Sequence, residues 1–260
     1  MLRRKKAKAR TAKKRSPLKR RILRRRRKLT VYIAWDRRAG AWVVVKRYAR
    51  RWEAAREWRV MRAVGNHTHF VRPRRYFVRK GKAYIVMERI RGQTLATAVR
   101  RRGRVAPGKV IDIALEVLKA VDHLHRLGYV HGDLHCRNVF VTDFEAPAVK
   151  LIDFQHTVKK GPGGLARARR RLAQPPASLA PESRRRYIDD SYDLYGVGYM
   201  CAYMLAGRAL TLRRVRRKAK AGGELWQVIG RSVHPNPKKR FRSAQEMAEA
   251  LLRVKEGPGG

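Results

Sequence analysis

His131-Gly132-Asp133-Leu134-His135-Cys136-Arg137-Asn138 is the stretch that decides the fold, because it lies between one helical pattern and two strand patterns. From Val110 to Leu127 the apolar residues recur every three or four positions, which predicts a helix with one buried face. Val139 to Val141 is a β-branched and aromatic run, and Val149 to Phe154 predicts a second strand that ends beside a carboxylate. We therefore expect a helix to lead into this loop and two strands to follow it.

Three polar side chains of this region are expected to converge. Asp133 and Asn138 lie on the loop, and Asp153 lies at the end of the second strand. An aspartate can accept the proton of a hydroxyl group, and an asparagine with a second aspartate can hold a divalent cation. Phosphoryl transfer needs these groups, because the protein mostly positions the reactants and neutralises charge. The residues therefore indicate phosphoryl-transfer chemistry.

The N-terminal part of the chain predicts two strands and a helix. Thr30 to Trp35 and Ala41 to Lys46 are strand patterns on either side of a turn, and the second ends on a lysine. Glu53 to Val64 has the spacing of an amphipathic helix, with Glu57 beside its apolar face. A further hairpin, Tyr76 to Met87, turns at Lys80-Gly81.

In combination these motifs resemble the protein kinase family. His131-Gly132-Asp133 is similar to its catalytic loop, and Asp153-Phe154-Gln155 is similar to its metal-binding motif. The later matches are the segments Pro175 to Glu182, Asp189 to Gly198 and His234 to Ser243. The resemblance covers about Leu29 to Leu252 and implies an α+β, two-lobed fold. A small antiparallel β-sheet N-lobe with one helix is expected at 29–88, and a larger, mainly helical C-lobe at 89–256.

The resemblance also implies roles for individual residues. Asp133 would be the catalytic base, and Lys46, held by Glu57, would bind the α- and β-phosphates of ATP. Asn138 and Asp153 would hold Mg²⁺. The expected adenine-binding residues are Val31, Val44, Met87, Glu88, Ile90 and Phe140, with Glu88 and Ile90 acting through their backbone. Asp193 would tie its helix to the catalytic loop, and Arg240 would pair with Glu182.

Three departures from the family pattern affect these expectations. The Gly-x-Gly-x-x-Gly turn is missing before Val31, where the chain reads Arg24 to Leu29; arginines supply charge but not the close backbone approach of glycines. Gln155 replaces the glycine of the metal motif, and Gly132 replaces the arginine before the catalytic aspartate. Without that arginine, switching by phosphorylation is disfavoured. His135 replaces a lysine, a form seen in atypical and small-molecule kinases.

The charge of the chain is extreme. It has 66 Lys plus Arg against 19 Asp plus Glu, for a net charge of +47 in 260 residues. Residues 1–28 hold 17 of the basic residues and no acid, so we expect a tail that is disordered or ordered only on a polyanion. Nucleic acid and an anionic membrane surface are the polyanions expected; a solvated surface explains the same charge.

The remaining composition favours a cytoplasmic protein, peripheral to a membrane if the tail binds lipid. Two cysteines, Cys136 and Cys201, form neither a disulfide framework nor a zinc cluster. The basic start is followed by no apolar segment of the signal-peptide type, and no transmembrane segment is predicted.

The sequence therefore predicts an ATP- and Mg²⁺-dependent phosphotransferase whose acceptor is Ser or Thr of a protein. Acidic proteins are among the expected substrates. Two alternatives stay open. A kinase for a small hydroxyl-bearing molecule, including a lipopolysaccharide sugar, suits His135, whereas the retained segment ending at Glu182 opposes it. A basic nucleic-acid-binding pseudokinase suits the missing glycine turn, whereas Lys46, Asp133, Asn138 and Asp153 oppose it because a scaffold has no chemical need for all four.

Overall fold

The N-lobe is built on a five-stranded antiparallel sheet. The computed structural model describes residues 21–25, 27–160 and 189–257, and the predicted motif Pro175 to Glu182 lies outside them. The strands are β1 (Arg21–Arg25), β2 (Leu29–Asp36), β3 (Ala41–Tyr48), β4 (Pro73–Arg79) and β5 (Lys82–Glu88), in the order β1-β2-β3-β5-β4. The predicted hairpins are confirmed, since β2 pairs with β3 and β4 with β5.

Alternation along the strands gives the sheet two different faces. Tyr32, Val43, Val45 and Val86 form a small apolar cluster on one face. The other face packs against helix α1 (Arg51–Val64), whose buried residues are Ala54, Glu57, Val60, Met61 and Val64. One face of the sheet thus carries this apolar cluster, and the other face carries Lys46.

Strand β1 corrects the prediction for the basic tail. The charge pattern predicts that residues 1–28 are disordered or ordered only on a polyanion, yet Arg21–Arg25 pairs in antiparallel register with β2. The prediction is wrong for these five residues, because backbone pairing to β2 needs no apolar side chains. Residues 1–20 lie outside the described part of the chain.

The C-lobe is mainly helical. Its helices are α2 (Leu95–Arg102), α3 (Pro107–Arg126), α4 (Asp190–Ala206), α5 (Leu212–Ala221), α6 (Glu224–Ser232) and α7 (Ala244–Glu256). Its short strands are β6 (Gln93–Thr94), β7 (Tyr129–Val130), β8 (Val139–Asp143), β9 (Ala148–Leu151) and β10 (Val158–Lys159). Strands β6, β8 and β9 form one small sheet, and β7 pairs with β10.

Helices α3 and α4 form the core of this lobe and position the catalytic loop. Helix α3 starts with Pro107 in its first turn and buries the predicted apolar face against α4 and α7. Helix α4 is buried almost all round, and the side chain of Asp189 caps its first turn by accepting from the amide of Ser191. In the described ranges, no helix has the length and apolar character needed to cross a membrane.

Candidate active site

Lys46 is buried at the centre of the candidate site. Its Nζ lies 2.7 Å from Oε1 of Glu57 on α1 and 2.8 Å from Oδ1 of Asp153 after β9. Burial opposes the charged ammonium, but the carboxylates of Asp153 and Glu57 outweigh it and raise the pKa of Lys46. The lysine is therefore charged, and the predicted Lys46–Glu57 pair is present. Glu53, the other acid of α1, instead lies 3.9 Å from Arg50.

Two residues that sequence reasoning missed hold Glu57 in place. The hydroxyl of Tyr48 donates to Oε2 of Glu57, and Nε2 of Gln155 donates to the Tyr48 oxygen at 2.9 Å. Tyr48 is fully buried. The signal was available: Tyr48 lies two residues after Lys46, so both side chains point to the same face of β3. Gln155, a departure from the family pattern, thus supports the Lys46–Glu57 pair.

The catalytic loop is held by Asp193 of α4, as predicted. Its Oδ2 accepts from the amide of His131 at 2.7 Å, and its Oδ1 accepts from the amide of Gly132 at 3.0 Å. Burial opposes ionisation of Asp193, but hydrogen bonding and charge from His125 outweigh it and lower its pKa. A buried carboxylate with several donors therefore fixes the loop backbone.

The backbone explains why Gly132 replaces the arginine of the family pattern. Gly132 has φ +75°, and a Cβ atom there would lie 2.7 Å from the carbonyl oxygen of His156. A side chain at this position would be strained and would push against the backbone. The substitution thus allows the segment after Asp153 to pass close to the catalytic loop.

Asp133 has an environment suited to accepting a proton. Its Oδ2 accepts from Nδ2 of Asn138 at 3.2 Å, and its buried Oδ1 has no hydrogen-bond partner among the described residues. Burial and the charge of Asp153 raise the pKa of Asp133 to about 7. Nε2 of His135 lies 3.6 Å from Oδ1, but burial and Arg137 lower the pKa of His135 to about 4, so its imidazole is neutral at pH 7. The free oxygen is thus available to a hydroxyl group.

Asp153 and Asn138 are the residues expected to hold Mg²⁺ together with a nucleotide. Burial disfavours the charge of Asp153, but Lys46 outweighs it and lowers the pKa of Asp153 to about 2. Asp153 has φ +69°, a left-handed conformation rare outside glycine, and it follows the end of β9 rather than lying in the strand as predicted. No cluster of three or more His, Cys, Asp or Glu side chains in the described ranges could hold a metal. Mg²⁺ commonly binds through one or two protein ligands plus substrate phosphates, which is what this pair offers.

Three of the predicted adenine-binding residues lie on the sheet face that carries Lys46. Val31 pairs directly with Lys46, and Val44 pairs directly with Met87, so these side chains share that face. Glu88 and Ile90 lie at and just after the end of β5, and Phe140 lies on β8 in the C-lobe. The amide of Glu88 donates to the carbonyl oxygen of Arg72 at 3.0 Å, which limits its expected contact with adenine to its own carbonyl oxygen.

Arg240 is a buried cation in the C-lobe. Its Nε donates to the carbonyl oxygen of His234 at 2.8 Å, and its guanidinium lies over the ring of Tyr195. Its predicted partner Glu182 lies outside the described residues.

Sequence comparison agrees with this geometry. The sequence model of the protein kinase domain matches residues 29–257, nearly nine-tenths of the chain. The chain therefore belongs to the protein kinase family. The match also confirms the predicted two-lobed α+β fold.

Curated relatives are serine/threonine-protein kinases. The chain is 30% identical over 205 residues to serine/threonine-protein kinase PknB of Mycolicibacterium smegmatis, which covers 67% of this chain and 31% of the relative. It is 26% identical over 190 residues to a probable serine/threonine-protein kinase of Clostridium acetobutylicum, with 66% and 28% covered. It is 28% identical over 183 residues to the probable serine/threonine-protein kinase zyg-1 of Caenorhabditis elegans, with 68% and 26% covered. The chain thus spans about a third or less of the length of these relatives.

Proposed function

We propose that this chain is an ATP- and magnesium-dependent kinase that transfers the γ-phosphate to a serine or threonine hydroxyl of a protein. The observation that carries the proposal is a charged Lys46 held between Glu57 and Asp153, beside Asp133 with a buried oxygen that lacks a hydrogen-bond donor among the described residues. Phosphoryl transfer requires groups that bind the phosphates, orient the acceptor hydroxyl and neutralise charge, and these residues can do so.

Each residue has a defined task in this mechanism. Lys46 binds the α- and β-phosphates, and Glu57 keeps its ammonium directed toward them. Oδ1 of Asp133 orients the acceptor hydroxyl and accepts its proton as the hydroxyl attacks. Asn138 and Asp153 would hold Mg²⁺, which neutralises charge on the phosphate oxygens when it is bound.

Adenine recognition completes the proposed site. Val31, Val44 and Met87 provide the N-lobe surface, and Phe140 provides the opposite surface from the C-lobe. The backbone of Glu88 and Ile90 hydrogen-bonds the edge of the base. With the proposed lobe bounds of 29–88 and 89–256, these two residues would lie in the hinge.

A protein acceptor is favoured over a small molecule. The relatives named above are serine/threonine-protein kinases, and the chain keeps Asp193 and Arg240 in the late region of the domain. A kinase acting on a sugar or another small molecule is the alternative that His135 suggests.

Label transfer from γ-labelled ATP tests the proposal. The full chain is incubated with Mg²⁺ and with one basic and one acidic protein, and the wild type is compared with Asp133→Asn. Transfer that the variant lacks supports the proposal. If the wild type binds neither ATP nor Mg-ATP and transfers no label, the chain is a pseudokinase; binding without transfer indicates a small-molecule acceptor.

Helix α5 favours a second function, the binding of a polyanion. It carries six cationic residues and no acid within ten positions: Arg213, Arg214, Arg216, Arg217, Lys218 and Lys220. Such a helix attracts nucleic acid by releasing counterions. We expect the affinity for single-stranded RNA to fall steeply with salt, and to fall when three of these residues are changed to glutamine. Equal affinity of that variant and the wild type would exclude α5 as the binding surface.

A further inference from the structure

Arg24 occupies the part of the fold where the family pattern expects a glycine turn. It lies on β1, directly opposite Val31 of β2, and Val31 lies directly opposite Lys46 of β3. Directly paired residues of antiparallel strands project from the same face of the sheet. Arg24 and Lys46 therefore project from one face, separated by a single strand.

The guanidinium of Arg24 reaches the acidic centre of the site. Its Nη1 lies 3.7 Å from Oδ2 of Asp153, while Lys46 takes Oδ1 of the same carboxylate at 2.8 Å. Arg24 also helps lower the pKa of Asp133, although burial and Asp153 dominate there and raise it. Two cations thus converge on Asp153 from neighbouring positions on the sheet.

The contact of Arg24 leaves its guanidinium free to take another partner. A separation of 3.7 Å is longer than a hydrogen bond, and the Arg24 side chain is 40% exposed. Such partly exposed ion pairs are weak, so exchanging one anion for another costs little. A guanidinium presents paired N–H donors that match phosphate oxygens, which a lysine cannot do.

We propose that Arg24 binds the phosphate groups of the nucleotide, in place of the backbone amides that a glycine turn would provide. The ligand class, a nucleoside di- or triphosphate, rests on the proposed function. The contact to Asp153 also allows a second role, in which Arg24 only screens the metal-binding carboxylate. The two roles predict opposite signs: losing a phosphate ligand weakens nucleotide binding, whereas losing a competitor for Asp153 strengthens binding of Mg-ATP.

Equilibrium binding distinguishes these roles without relying on activity. Calorimetric titrations with ATP, ADP, adenosine and inorganic tripolyphosphate, each with Mg²⁺ and with EDTA, compare the wild type with Arg24→Gln and Arg24→Lys. The matched control is Arg25→Gln, because Arg25 is the next residue of β1, is exposed and projects from the other face. Arg25→Gln makes the same change in net charge.

We expect Arg24→Gln to weaken binding of ATP and ADP on the order of tenfold to a hundredfold, the usual contribution of a charge-assisted hydrogen bond. Adenosine affinity should not change, Arg24→Lys should lose part of the affinity, and Arg25→Gln should match the wild type. Equal effects of the changes at Arg24 and Arg25, or tighter Mg-ATP binding by Arg24→Gln, would overturn the proposal.

The same titrations separate this inference from the proposed function. Arg24-dependent ATP binding without any label transfer to protein would refute the proposed protein kinase activity and support the phosphate-binding role. Arg24-dependent binding of tripolyphosphate alone would support an anion site and refute the nucleotide as its ligand. A wild type that binds none of the phosphates would overturn the inference.

Discussion

Replacing Asp133 with asparagine should stabilise the folded protein, and more so at high pH than at low pH. The Asp133 residue is 9% exposed, and its pKa is raised from 3.8 to about 7 because burial and Asp153 disfavour its charge. Between these two pKa values the folded state binds a proton that the unfolded state has released. The stability that this carboxyl contributes is therefore fully present below pH 4 and is lost as the pH rises toward the folded pKa. An asparagine side chain at this position does not titrate and would have no such dependence.

The magnitude follows from the two pKa values. One pKa unit corresponds to about 1.4 kcal/mol, so the difference in unfolding free energy between Asp133→Asn and the wild type should increase by roughly 3 kcal/mol from about pH 5 to about pH 8. The variant should keep the local structure, because an asparagine oxygen can still accept from Nδ2 of Asn138. Its stability should thus rise while phosphoryl transfer is lost.

Urea unfolding at a series of pH values measures this difference. Glu249→Gln is the control, since it removes one carboxylate from an exposed position on α7. A constant difference between Asp133→Asn and the wild type across this pH range would refute the reasoning, because Asp133 would then have the same pKa in both states.

Three further predictions concern the residues that support the site. Gly132→Ala should destabilise the protein by roughly 1–3 kcal/mol more than Gly128→Ala in urea unfolding, because both glycines have φ near +75° but only a Cβ at 132 meets the backbone; equal losses would exclude the clash. Tyr48→Phe should lower the unfolding free energy by about 1–3 kcal/mol, since it removes a hydrogen bond from the buried carboxylate of Glu57 and one from the half-buried amide of Gln155. Tyr84→Phe, on a half-buried ring stacked on Phe77, should cost less. In a double-mutant cycle, Tyr48→Phe and Gln155→Ala should be non-additive by about 1 kcal/mol; additive losses would show that the two side chains do not interact energetically.

Local sequence patterns predicted most of the fold. The helix α3 follows from the spacing of its apolar residues, and the pairing of β2 with β3 follows from two β-branched runs around a turn. Strand β1 could not be predicted this way, because it is basic throughout apart from Ile22 and Leu23 and has no alternating pattern. Its formation depends on pairing with β2, and this tertiary contact leaves no pattern in the local sequence.

The candidate site also contains residues that the sequence predicted and residues that it did not. Lys46 and Glu57 could be predicted from a strand and a helix, whereas Asp133 and Asp153 were expected from the loop motif and the strand end that resemble those of the family. Tyr48 was missed because its role depends on meeting Glu57 and Gln155, which are distant in the chain. The alternation of the strand places Tyr48 on the same face as Lys46, but its hydrogen bonds with Glu57 and Gln155 become evident only when these partners are located.

Gly132 and Gln155, two departures from the family pattern, are physically connected. The absence of a side chain at Gly132 admits the backbone of His156, and His156 directly follows Gln155, whose amide reaches the buried hydroxyl of Tyr48. Restoring a side chain at 132 would displace the His156 backbone and with it the hydrogen bond from Gln155. That bond supports Tyr48 against Glu57, and Glu57 holds Lys46. The effect of a change at Gly132 should therefore reach Lys46 through these contacts. A glycine at position 155 would weaken this coupling, because it would remove the side-chain amide that donates to Tyr48.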